Sequence, residues 1–427
     1  MAIDNKDKKV LKSSIEREQN EVACSAECEK IKGSKNLNVP HLRFPEFTGE
    51  WESFKLTELG KFIGGGTPSS SNLSFWAGSI PWISSSDIKE DSINNISISR
   101  YITEEAIEKS TTKYCPAPVI LIVSRVGVGK VALSYTSLCT SQDFCNIIEI
   151  KCHPVFLSYN LLRTMKRKSR EVQGTSIKGI TSDELQKIRV FIPQDKDEQN
   201  KISNILTLLD ERIATQNKII DKFQSLIKGL SQQLLSSEND WILYRLDDLA
   251  QIKSGYSGTQ VSYQTPYKVS RIETISKHCI DIQRIGYVEC IPESYRLNVG
   301  NILFSNINSI QYIGNTAYLD KDYGLYHGMN LLRIIPNTTI VRPRFLHLLL
   351  CTDWAINHFQ TICNKAVSQA SINQTALGKS RFPIPPMSVQ QQICSMFELT
   401  ERKLDNEQEY ISCLQQQKRY LLQKMFI

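Results

Sequence analysis

Long hydrophobic runs are missing from this sequence. No stretch approaches the roughly 20 apolar residues that a membrane-spanning helix needs. The first residues, MAIDNKDKKVLKSSIEREQN, also lack the apolar core and the small-residue cleavage site of a signal peptide. We therefore expect a cytoplasmic protein that has no membrane partner.

Histidine is scarce, with 6 residues, and the 12 cysteines follow no metal-binding spacing. No CxxC pair occurs; Cys24 and Cys28 are four residues apart, whereas Cys351 and Cys363 are twelve apart. Zinc sites need cysteine and histidine clustered at short, regular spacings. We therefore expect no metal site, and we interpret the cysteines as reduced and mostly buried thiols.

Motifs of catalysis and cofactor binding are missing as well. Residues 127–132, GVGKVA, fit a GxGxxA pattern, but the LSYT that follows favours a strand where a dinucleotide site needs a helix. Gly378-Lys379-Ser380 matches the end of a phosphate-binding loop, but Asn373 stands where its first glycine belongs. No GxSxG, HExxH or [DN]PP[YF] sequence occurs. These absences argue against an enzyme, so we expect no catalytic residue and no cofactor bound by this chain.

What is present is ordinary globular sequence, longer than one domain. The 427 residues are 41% hydrophobic and 22% charged, and the excess of Lys and Arg gives a net charge of +7. The length favours two domains with connectors. The small basic excess is compatible with a nucleic-acid ligand but does not identify one.

The sequence contains an internal repeat. Residues 50–59, EWESFKLTEL, align with residues 240–249, DWILYRLDDL, at an offset of 190, and Gly65 then matches Gly255. The ends of the two segments align at an offset of 192. The pairs there are Ile180 with Ile372, Leu185 with Leu377, Lys187 with Lys379, Arg189 with Arg381, Ile192 with Ile384 and Pro193 with Pro385. Agreement at both ends of such long segments indicates two related globular domains.

Each repeat closes with apolar residues at alternating spacings of four and three, which are the a and d positions of a coiled coil. In the first helix these positions are Ile202, Leu206, Leu209, Ile213, Gln216, Ile220, Phe223, Ile227, Leu230 and Leu234. In the second, at an offset of 191, they are Ile393, Phe397, Thr400, Leu404, Glu407, Ile411, Leu414, Lys418, Leu421 and Met425. Prolines precede both helices and set their starts. We predict the first helix over about residues 197–235, close to 60 Å long.

Neither helix can bury its apolar stripe alone. We favour pairing of the two helices within one chain, antiparallel if the globular domains lie at opposite ends, because each chain carries two helices in matching register. The alternative is that the helices join two chains.

The globular domains mix short β-rich runs with turns rich in Gly, Ser and Pro, and a few helices, which favours an α+β fold. Residues 119–123 and 302–304 are predicted strands, and residues 156–163 and 345–354 are predicted helices.

Polar side chains gather where strands end in both domains. Hydroxyls and backbone N–H groups bind phosphates, whereas Arg, Asn and Asp can bind base edges. The candidate DNA contacts are Gly65, Thr67, Ser84, Ser85, Ser86, Asp87, Ser124, Arg125, Lys130, Lys178, Ser254, Tyr256, Ser270, Arg271, Ser305, Asn306, Asn308 and Asn373. Each residue alone is as well explained by an ordinary surface loop. Their recurrence at equivalent places in both domains favours the binding interpretation.

The order of these features resembles the specificity subunit of type I restriction-modification systems. Residues 39–47, VPHLRFPEF, followed by Gly49-Glu50-Trp51, look like that family's start of a first target-recognition domain. The motifs within and after the domains are similar as well. These are Ile80-Pro81-Trp82-Ile83 with Asp87-Ile88, Ile192-Pro193 with Glu198-Gln199 and Ile202, and Ile384-Pro385-Pro386 with Gln391 and Ile393.

The sequence departs from the family pattern in three places. Residues 1–38 are a charged extension that the resemblance does not explain. The second domain lacks the Gly-rich run of the first, and Gln390 stands where the first helix has an acid before its Gln. The last two departures suggest that the domains bind different DNA.

The resemblance implies an α+β fold with two tandem target-recognition domains separated by two long helices packed as an antiparallel coiled coil. The segments would be an extension over 1–38, domain 1 over 39–193, a central helix over 194–239, domain 2 over 240–385 and a C-terminal helix over 386–427. Each domain would bind one half of a two-part target in double-stranded DNA, and the helix pair would set the spacing.

The resemblance also implies partners. Two methylation subunits would pack on the helices and supply S-adenosylmethionine-dependent adenine methylation, and a restriction subunit would supply ATP- and Mg-dependent translocation and cleavage. Two alternatives remain: a coiled-coil protein scaffold that does not bind DNA, and a self-sufficient methyltransferase, which the missing cofactor motifs disfavour.

Overall fold

The computed structural model describes residues 38–172, 179–236, 241–276, 278–365 and 369–427. The chain forms two compact units. Unit 1 comprises Met1–Ala214 with Cys413–Ile427, and unit 2 comprises Thr215–Ser412. Each unit therefore contains one repeated globular domain and part of each long helix. All but the last residue of the predicted extension over residues 1–38 lie outside the described residues.

Unit 1 contains ten strands in the part that the structure describes. They are β1 (Glu52–Lys55), β2 (Lys61–Gly64), β3 (Ile80–Ile83), β4 (Arg100–Ile102), β5 (Tyr114–Cys115), β6 (Val119–Ile122), β7 (Val131–Ser134), β8 (Leu138–Thr140), β9 (Cys145–Ile148) and β10 (Arg189–Ile192). Its helices are α1 (Leu56–Leu59), α2 (Glu104–Glu108), α3 (Pro154–Val172) and α4 (Ser182–Lys187), followed by the long central helix α5 (Lys196–Leu234). Eight of these strands form two four-stranded sheets, of order β2-β9-β6-β7 and β4-β3-β8-β5, and β1 pairs with β10.

Unit 2 contains fifteen shorter strands among its described residues. They are β11 (Ile242–Arg245), β12 (Ala250–Ser254), β13 (Gln260–Val261), β14 (Tyr267–Val269), β15 (Ile275–Ser276), β16 (Cys279–Ile280), β17 (Gly286–Val288), β18 (Ile302–Phe304), β19 (Ile307–Asn308), β20 (Thr316–Tyr318), β21 (Leu325–Tyr326), β22 (Leu332–Pro336), β23 (Asn364–Lys365), β24 (Ala370–Ser371) and β25 (Arg381–Ile384). Its helices are α6 (Leu246–Leu249), α7 (Pro343–Leu350), α8 (Asp353–Ile362), α9 (Gln374–Gly378) and α10 (Met387–Lys424).

The two domains share a sheet topology. In unit 2 the order β12-β22-β18-β20 repeats the order β2-β9-β6-β7 of unit 1, with all neighbours antiparallel. In the second sheet, β3 pairs in parallel with β8, as β14 pairs in parallel with β21. The common topology confirms that the sequence repeat is a structural repeat.

The repeated ends of each domain pair with each other. Strand β1 runs antiparallel to β10, with Glu52 opposite Ile192, and β11 runs antiparallel to β25, with Ile242 opposite Ile384. Each domain thus begins and finishes at one two-stranded ribbon. The long helix that follows consequently starts beside the point where the domain begins.

Three of the four predicted elements match the structure. Residues 119–123 contain β6, residues 302–304 are β18, and residues 156–163 lie inside α3. The fourth prediction, one helix over residues 345–354, is wrong. The Thr352 hydroxyl caps a new helix by accepting the Ala355 N–H at 3.3 Å, and this cap separates α7 from α8.

The two long helices carry the predicted stripe. Every predicted pairing position on α5 and α10 is buried or half-buried, and none is exposed. In unit 1, the stripe residues that share the domain core are Ile202, Leu206, Leu209, Leu414, Leu421 and Met425. In unit 2 they are Ile227, Leu230, Leu234, Ile393 and Phe397. Helix pairing within one chain is therefore confirmed.

The polar position of the stripe shows the direction of pairing. The Gln216 side chain donates to the carboxylate of Glu407 and, at 3.2 Å, to its backbone carbonyl. Within unit 2, the start of the α5 segment at Gln216 thus meets the end of the α10 segment at Glu407. Later residues of α5 share a core with the earlier α10 residues Ile393 and Phe397. The two helices are therefore antiparallel.

A buried glutamine at the start of each long helix corrects the sequence alignment. The Gln199 amide donates to the Pro193 carbonyl at 2.8 Å and accepts the His153 N–H at 3.0 Å. Gln390 donates to the Pro385 carbonyl at 2.9 Å and accepts the Arg342 N–H at 2.8 Å. Gln390 is therefore the equivalent of Gln199, at the helical offset of 191. The interpretation that it replaces the preceding acid is wrong.

Glu198, the residue before the first glutamine, belongs to a buried network found in unit 1. It is 1% exposed, pairs with Arg43 at 2.7 Å and accepts the Trp51 indole N–H at 3.2 Å. At the same offset of 191, unit 2 has the apolar Val389. The two helix starts therefore share the glutamine but differ in the residue before it.

We predict that Gln390→Ala lowers the free energy of unfolding by about 1–3 kcal/mol, because it leaves the Arg342 N–H without its acceptor. Gln199→Ala should cost a similar amount. Urea unfolding of the full chain measures both.

Gln391→Ala is the matched control, since Gln391 is exposed and should change stability by less than about 0.5 kcal/mol. A larger effect at Gln391 than at Gln390 would contradict the corrected alignment.

Candidate nucleic-acid interface

In unit 1, several predicted site residues emerge at one edge of the parallel pair β3 and β8. The Ser141 N–H, just past β8, donates to the Ile83 carbonyl at 2.9 Å. The Gly-rich loop after β2 lies against the same edge, because the Gly66 N–H donates to Thr140 at 2.8 Å and Gly66 accepts the Trp82 indole N–H at 3.0 Å. Three loops distant in sequence therefore meet at this edge.

The serine turn after β3 is held by Asp87. Its carboxylate accepts the Ser84 N–H at 2.7 Å and pairs with Arg100, whose guanidinium lies 4.5 Å from the centre of the Trp82 ring. Lys130 donates to the Ser85 carbonyl at 3.0 Å. Asp87 and Lys130 therefore shape the turn.

The groups of this turn that are exposed to solvent are not Asp87 and Lys130. The Ser86 residue is exposed, and the Arg100 side chain is 39% exposed. Arg100 could not be predicted from the sequence, because it lies on β4 and reaches the turn only through sheet pairing.

A cleft of about 610 Å³ lies where β6 ends. Ser124 is buried there and its N–H donates to the Asp143 carbonyl at 2.8 Å, while Arg125 is exposed. Gly65 lines the same cleft. Four polar lining residues were not predicted from the sequence: Gln142, Asp143, Thr181 and Ser182. The hydrogen bond from the Thr67 hydroxyl to Gln142 joins the Gly-rich loop to this cleft.

Unit 2 repeats the parallel-strand edge. The Ser270 N–H, just past β14, donates to Tyr326 at 2.9 Å, and the Tyr256 N–H donates to His327 at 2.9 Å. The Gly328 N–H donates to the Ser270 hydroxyl at 3.0 Å. Arg271 is exposed and lines a cleft of about 440 Å³. Further lining residues that sequence analysis missed are Thr259, Gln260, Glu273 and Asn330.

His327 adds no charge to this edge at neutral pH. Burial lowers the pKa of His327 to about 4, because the low-dielectric surroundings disfavour the imidazolium. At neutral pH the uncharged His327 ring therefore neither attracts nor repels the exposed guanidinium of Arg271.

The loop after β18 is equivalent to the loop after β6. The Ile372 N–H donates to the Asn306 carbonyl at 2.8 Å, as the Ile180 N–H donates to the Ser124 carbonyl at 2.7 Å. Asn306 thus occupies the place of Ser124. Its side-chain oxygen is buried and has no hydrogen-bond partner among the described residues.

The other predicted residues of unit 2 lie nearby. Ser254 ends β12 opposite Leu332, which also pairs with Phe304 immediately before Ser305. The Asn308 amide donates to the Ser305 hydroxyl at 3.1 Å. Asn373 caps α9 by accepting the Ala376 N–H at 2.7 Å, which gives this residue a structural role.

The structure thus gathers most of the predicted contacts at one edge of each domain. In unit 1 these are Gly65, Thr67, Ser84, Ser85, Ser86, Asp87, Ser124, Arg125 and Lys130. In unit 2 they are Ser254, Tyr256, Ser270, Arg271, Ser305, Asn306 and Asn308. Lys178 lies outside the described residues.

A sequence model of the family described as "Type I restriction modification DNA specificity domain" matches the chain twice, over residues 48–224 and 238–416. The chain belongs to this family. Each match covers one repeated domain and part or most of the helix that follows it. The predicted α+β fold, with two tandem target-recognition domains and paired long helices, is confirmed.

Specificity subunits of known systems are similar in sequence. The putative type I restriction enzyme MjaX specificity subunit of Methanocaldococcus jannaschii is 38% identical over 193 residues, which are 44% of this chain and 45% of that protein. The MjaIX specificity subunit of the same organism is 25% identical over 331 residues, which are 65% of this chain and 75% of that protein. The Escherichia coli EcoR124I/EcoR124II specificity subunit is 31% identical over 201 residues, 45% of each chain.

Two solved structures share the fold. The type I restriction-modification S subunit from M. genitalium gives a TM-score of 0.55 at 16% identity, covering 91% of this chain and 99% of that one. A chain from a structure on complex assembly and conformational transition of the type I R-M system gives a TM-score of 0.60 at 14% identity, covering 90% and 99%. Both solved chains share the fold of this chain over nearly their whole length.

The described part of the chain offers neither a metal site nor a membrane span. No three His, Cys, Asp or Glu side chains in it are placed to hold a metal ion, and no helix in it is long and apolar enough to cross a bilayer. Ten cysteines are described, and all are free thiols. The prediction that the thiols are mostly buried holds for five of them, whereas Cys279, Cys290 and Cys413 are exposed.

We predict that Gly65→Ala lowers the free energy of unfolding by about 1–3 kcal/mol through overpacking. A Cβ at Gly65 would overlap the Ser141 carbonyl, so the Gly-rich loop could not rest on the β8 edge. Denaturant unfolding measures the effect.

Gly64→Ala is the matched control, because a Cβ there has no atom within 4 Å. If both variants were equally stable, the close approach of the loop to β8 would be wrong.

Proposed function

We propose that this chain is the DNA-specificity subunit of a type I restriction-modification complex, with one half-site bound by each unit. The proposal rests on one observation. Both domains match the specificity family, and in both of them polar loops gather at the same edge of the parallel strand pair. The chain itself would be non-catalytic and cytoplasmic. S-adenosylmethionine, ATP and Mg would be bound by partner subunits that methylate, translocate and cleave.

The chemistry of the loops supports DNA as the ligand. Exposed hydroxyls such as Ser86 can donate to phosphate oxygens, whereas the exposed guanidinium groups of Arg125 and Arg271 can form paired hydrogen bonds with guanine. The two clefts are lined by different side chains. Different linings on a common frame support an asymmetric target with two unlike half-sites.

The proposed function is tested by mapping the methylated adenines of a host genome. A host that carries the partner methylation subunit is sequenced with and without this gene, by a method that detects methylated adenine. A two-part motif should appear only with the gene. Arg125→Ala should relax one half-site by about 1–3 kcal/mol per lost base contact and leave the other half-site unchanged.

Arg212→Ala, at an exposed position of α5, is the control and should leave the motif intact. If an assembled complex gave no gene-dependent motif and the chain had no salt-sensitive affinity for DNA, the protein-scaffold alternative would replace this proposal.

A second feature supports two methylation subunits per chain. Ile205 and Leu208 on α5 are 37% and 59% exposed, and Met396 and Leu399 on α10 are 44% and 58% exposed. The second pair lies at an offset of 191 from the first, so the same apolar patch occurs once in each unit. Single exposed apolar residues are common, but a duplicated pair is typical of a surface that binds two copies of one partner.

We predict that Leu208→Asp and Leu399→Asp each remove one methylation subunit, and that the double variant removes both, because a carboxylate would be buried in each interface. Native mass spectrometry of the complex counts the subunits.

Leu226→Asp is the matched control, since Leu226 is 49% exposed on α5 but its repeat equivalent is the polar Gln417. It should retain two subunits. Two bound subunits in the double variant would contradict the assignment of the patch.

A further inference from the structure

The second half of helix α3 in unit 1 is strongly basic. Residues 163–170 contain five Lys or Arg residues and no Asp or Glu. Helix α7 of unit 2 starts at the same structural point, because His153 and Arg342 both donate their N–H groups to the buried glutamines. The corresponding residues 352–359, TDWAINHF, contain no Lys or Arg. The shared fold therefore does not require the basic segment.

Three of the five cations are engaged within the protein. Lys166 pairs with Asp91, Lys168 pairs with Glu171 at 2.7 Å, and Arg163 donates to the carbonyl of Ile427 at 2.6 Å. The other two are Arg167 and Arg170. Both are exposed, and neither forms an ion pair with any described residue.

The positive charges lie close enough to repel one another. Burial lowers the pKa of Arg163, and the neighbouring charge of Arg167 lowers it further. An anion bound at Arg167 would relieve this repulsion. Arg167 and Arg170 are three residues apart on α3, so their side chains project from neighbouring positions of one helix face.

The second half of α3 borders the loop that lines the cleft of unit 1. A Cβ built at Gly129, in the loop that begins with Arg125, would lie 3.2 Å from the side chain of Ser169. A Cβ built at Gly179, after α3, would lie 3.1 Å from the Cα of Arg125. Ser169 lies between Arg167 and Arg170 in sequence, so this turn of the helix borders the loop that carries Arg125, and the two arginines project from its solvent-exposed side.

We propose that Arg167 and Arg170 bind two backbone phosphates of duplex DNA next to the half-site of unit 1. Guanidinium groups match the geometry of phosphate oxygens, and phosphate contacts position a protein on DNA without reading its sequence. The proposal rests on the DNA-binding function proposed above and deepens it. Unit 2 has no equivalent basic segment, so unit 1 supplies more of the salt-dependent affinity.

The test measures the affinity of the full chain, alone and with its methylation subunit, for duplex DNA over a range of salt concentrations. The double variant Arg167→Gln, Arg170→Gln should reduce the slope of log affinity against log salt by about 1.8, since each phosphate contact contributes about 0.9. The methylated motif should stay unchanged. Arg167→Lys with Arg170→Lys should restore most of the slope.

Lys218→Gln with Lys222→Gln is the control, because it removes the same charge from exposed positions of α5. An unchanged slope in the arginine variant, or an equal reduction in the control, would overturn the proposal. An altered half-site would overturn it too, since these residues would then bind bases. Wild-type protein without salt-sensitive DNA affinity would instead overturn the proposed function.

Discussion

Each unit depends on one junction, where the globular domain begins and finishes at a two-stranded ribbon and the long helix starts beside it. A single buried amide connects the parts of this junction. Gln199 and Gln390 each bind the carbonyl of the proline before the long helix and the N–H group at the start of the domain's own helix. Both groups would otherwise be unpaired away from water, at a cost of about 1–3 kcal/mol each. The amide therefore fixes the direction in which the long helix leaves its domain.

In unit 1, a buried ion pair then sets the register of the helix pair. An apolar heptad stripe alone permits slippage by one heptad, whereas a buried polar pair permits one alignment. In unit 1, Asp210 accepts the Tyr159 hydroxyl at 2.8 Å and pairs with Lys418 of the opposite helix. In unit 2, Glu401 stands at the same position of the repeat, offset by 191, but pairs with Arg344 of the domain. Both units have an acidic residue at this position of the repeat. Its carboxylate pairs with a different cationic side chain in each unit.

The features that follow from hydrophobic periodicity could be predicted from the sequence. The positions predicted from the heptad spacing are all buried or half-buried, because a residue's side of a helix follows from its number alone. It did not predict the break at Thr352, since a short cap inside an apolar run leaves the helical period almost intact. The alignment at Gln390 slipped by one residue because the repeat offset changes from 192 to 191 between β25 and α10. Arg100 and Gln142 depend on which strands pair, and hydrophobic patterns do not specify strand order.

The separation between frame and loops would allow the proposed DNA-specificity subunit to bind two unlike half-sites. The frame consists of buried strands, the terminal ribbon and the glutamine junction, where substitutions leave unpaired groups or cavities. The loops extend beyond the strand ends, where insertions and exchanges cost little because loop-closure entropy grows slowly with length. Unit 1 accordingly carries Ser84, Ser85 and Ser86 after β3, whereas unit 2 carries Ser270 and Arg271 after the equivalent strand β14. Since each terminal ribbon pairs two strands of its own domain, the loops of that domain can be exchanged while its ribbon is kept.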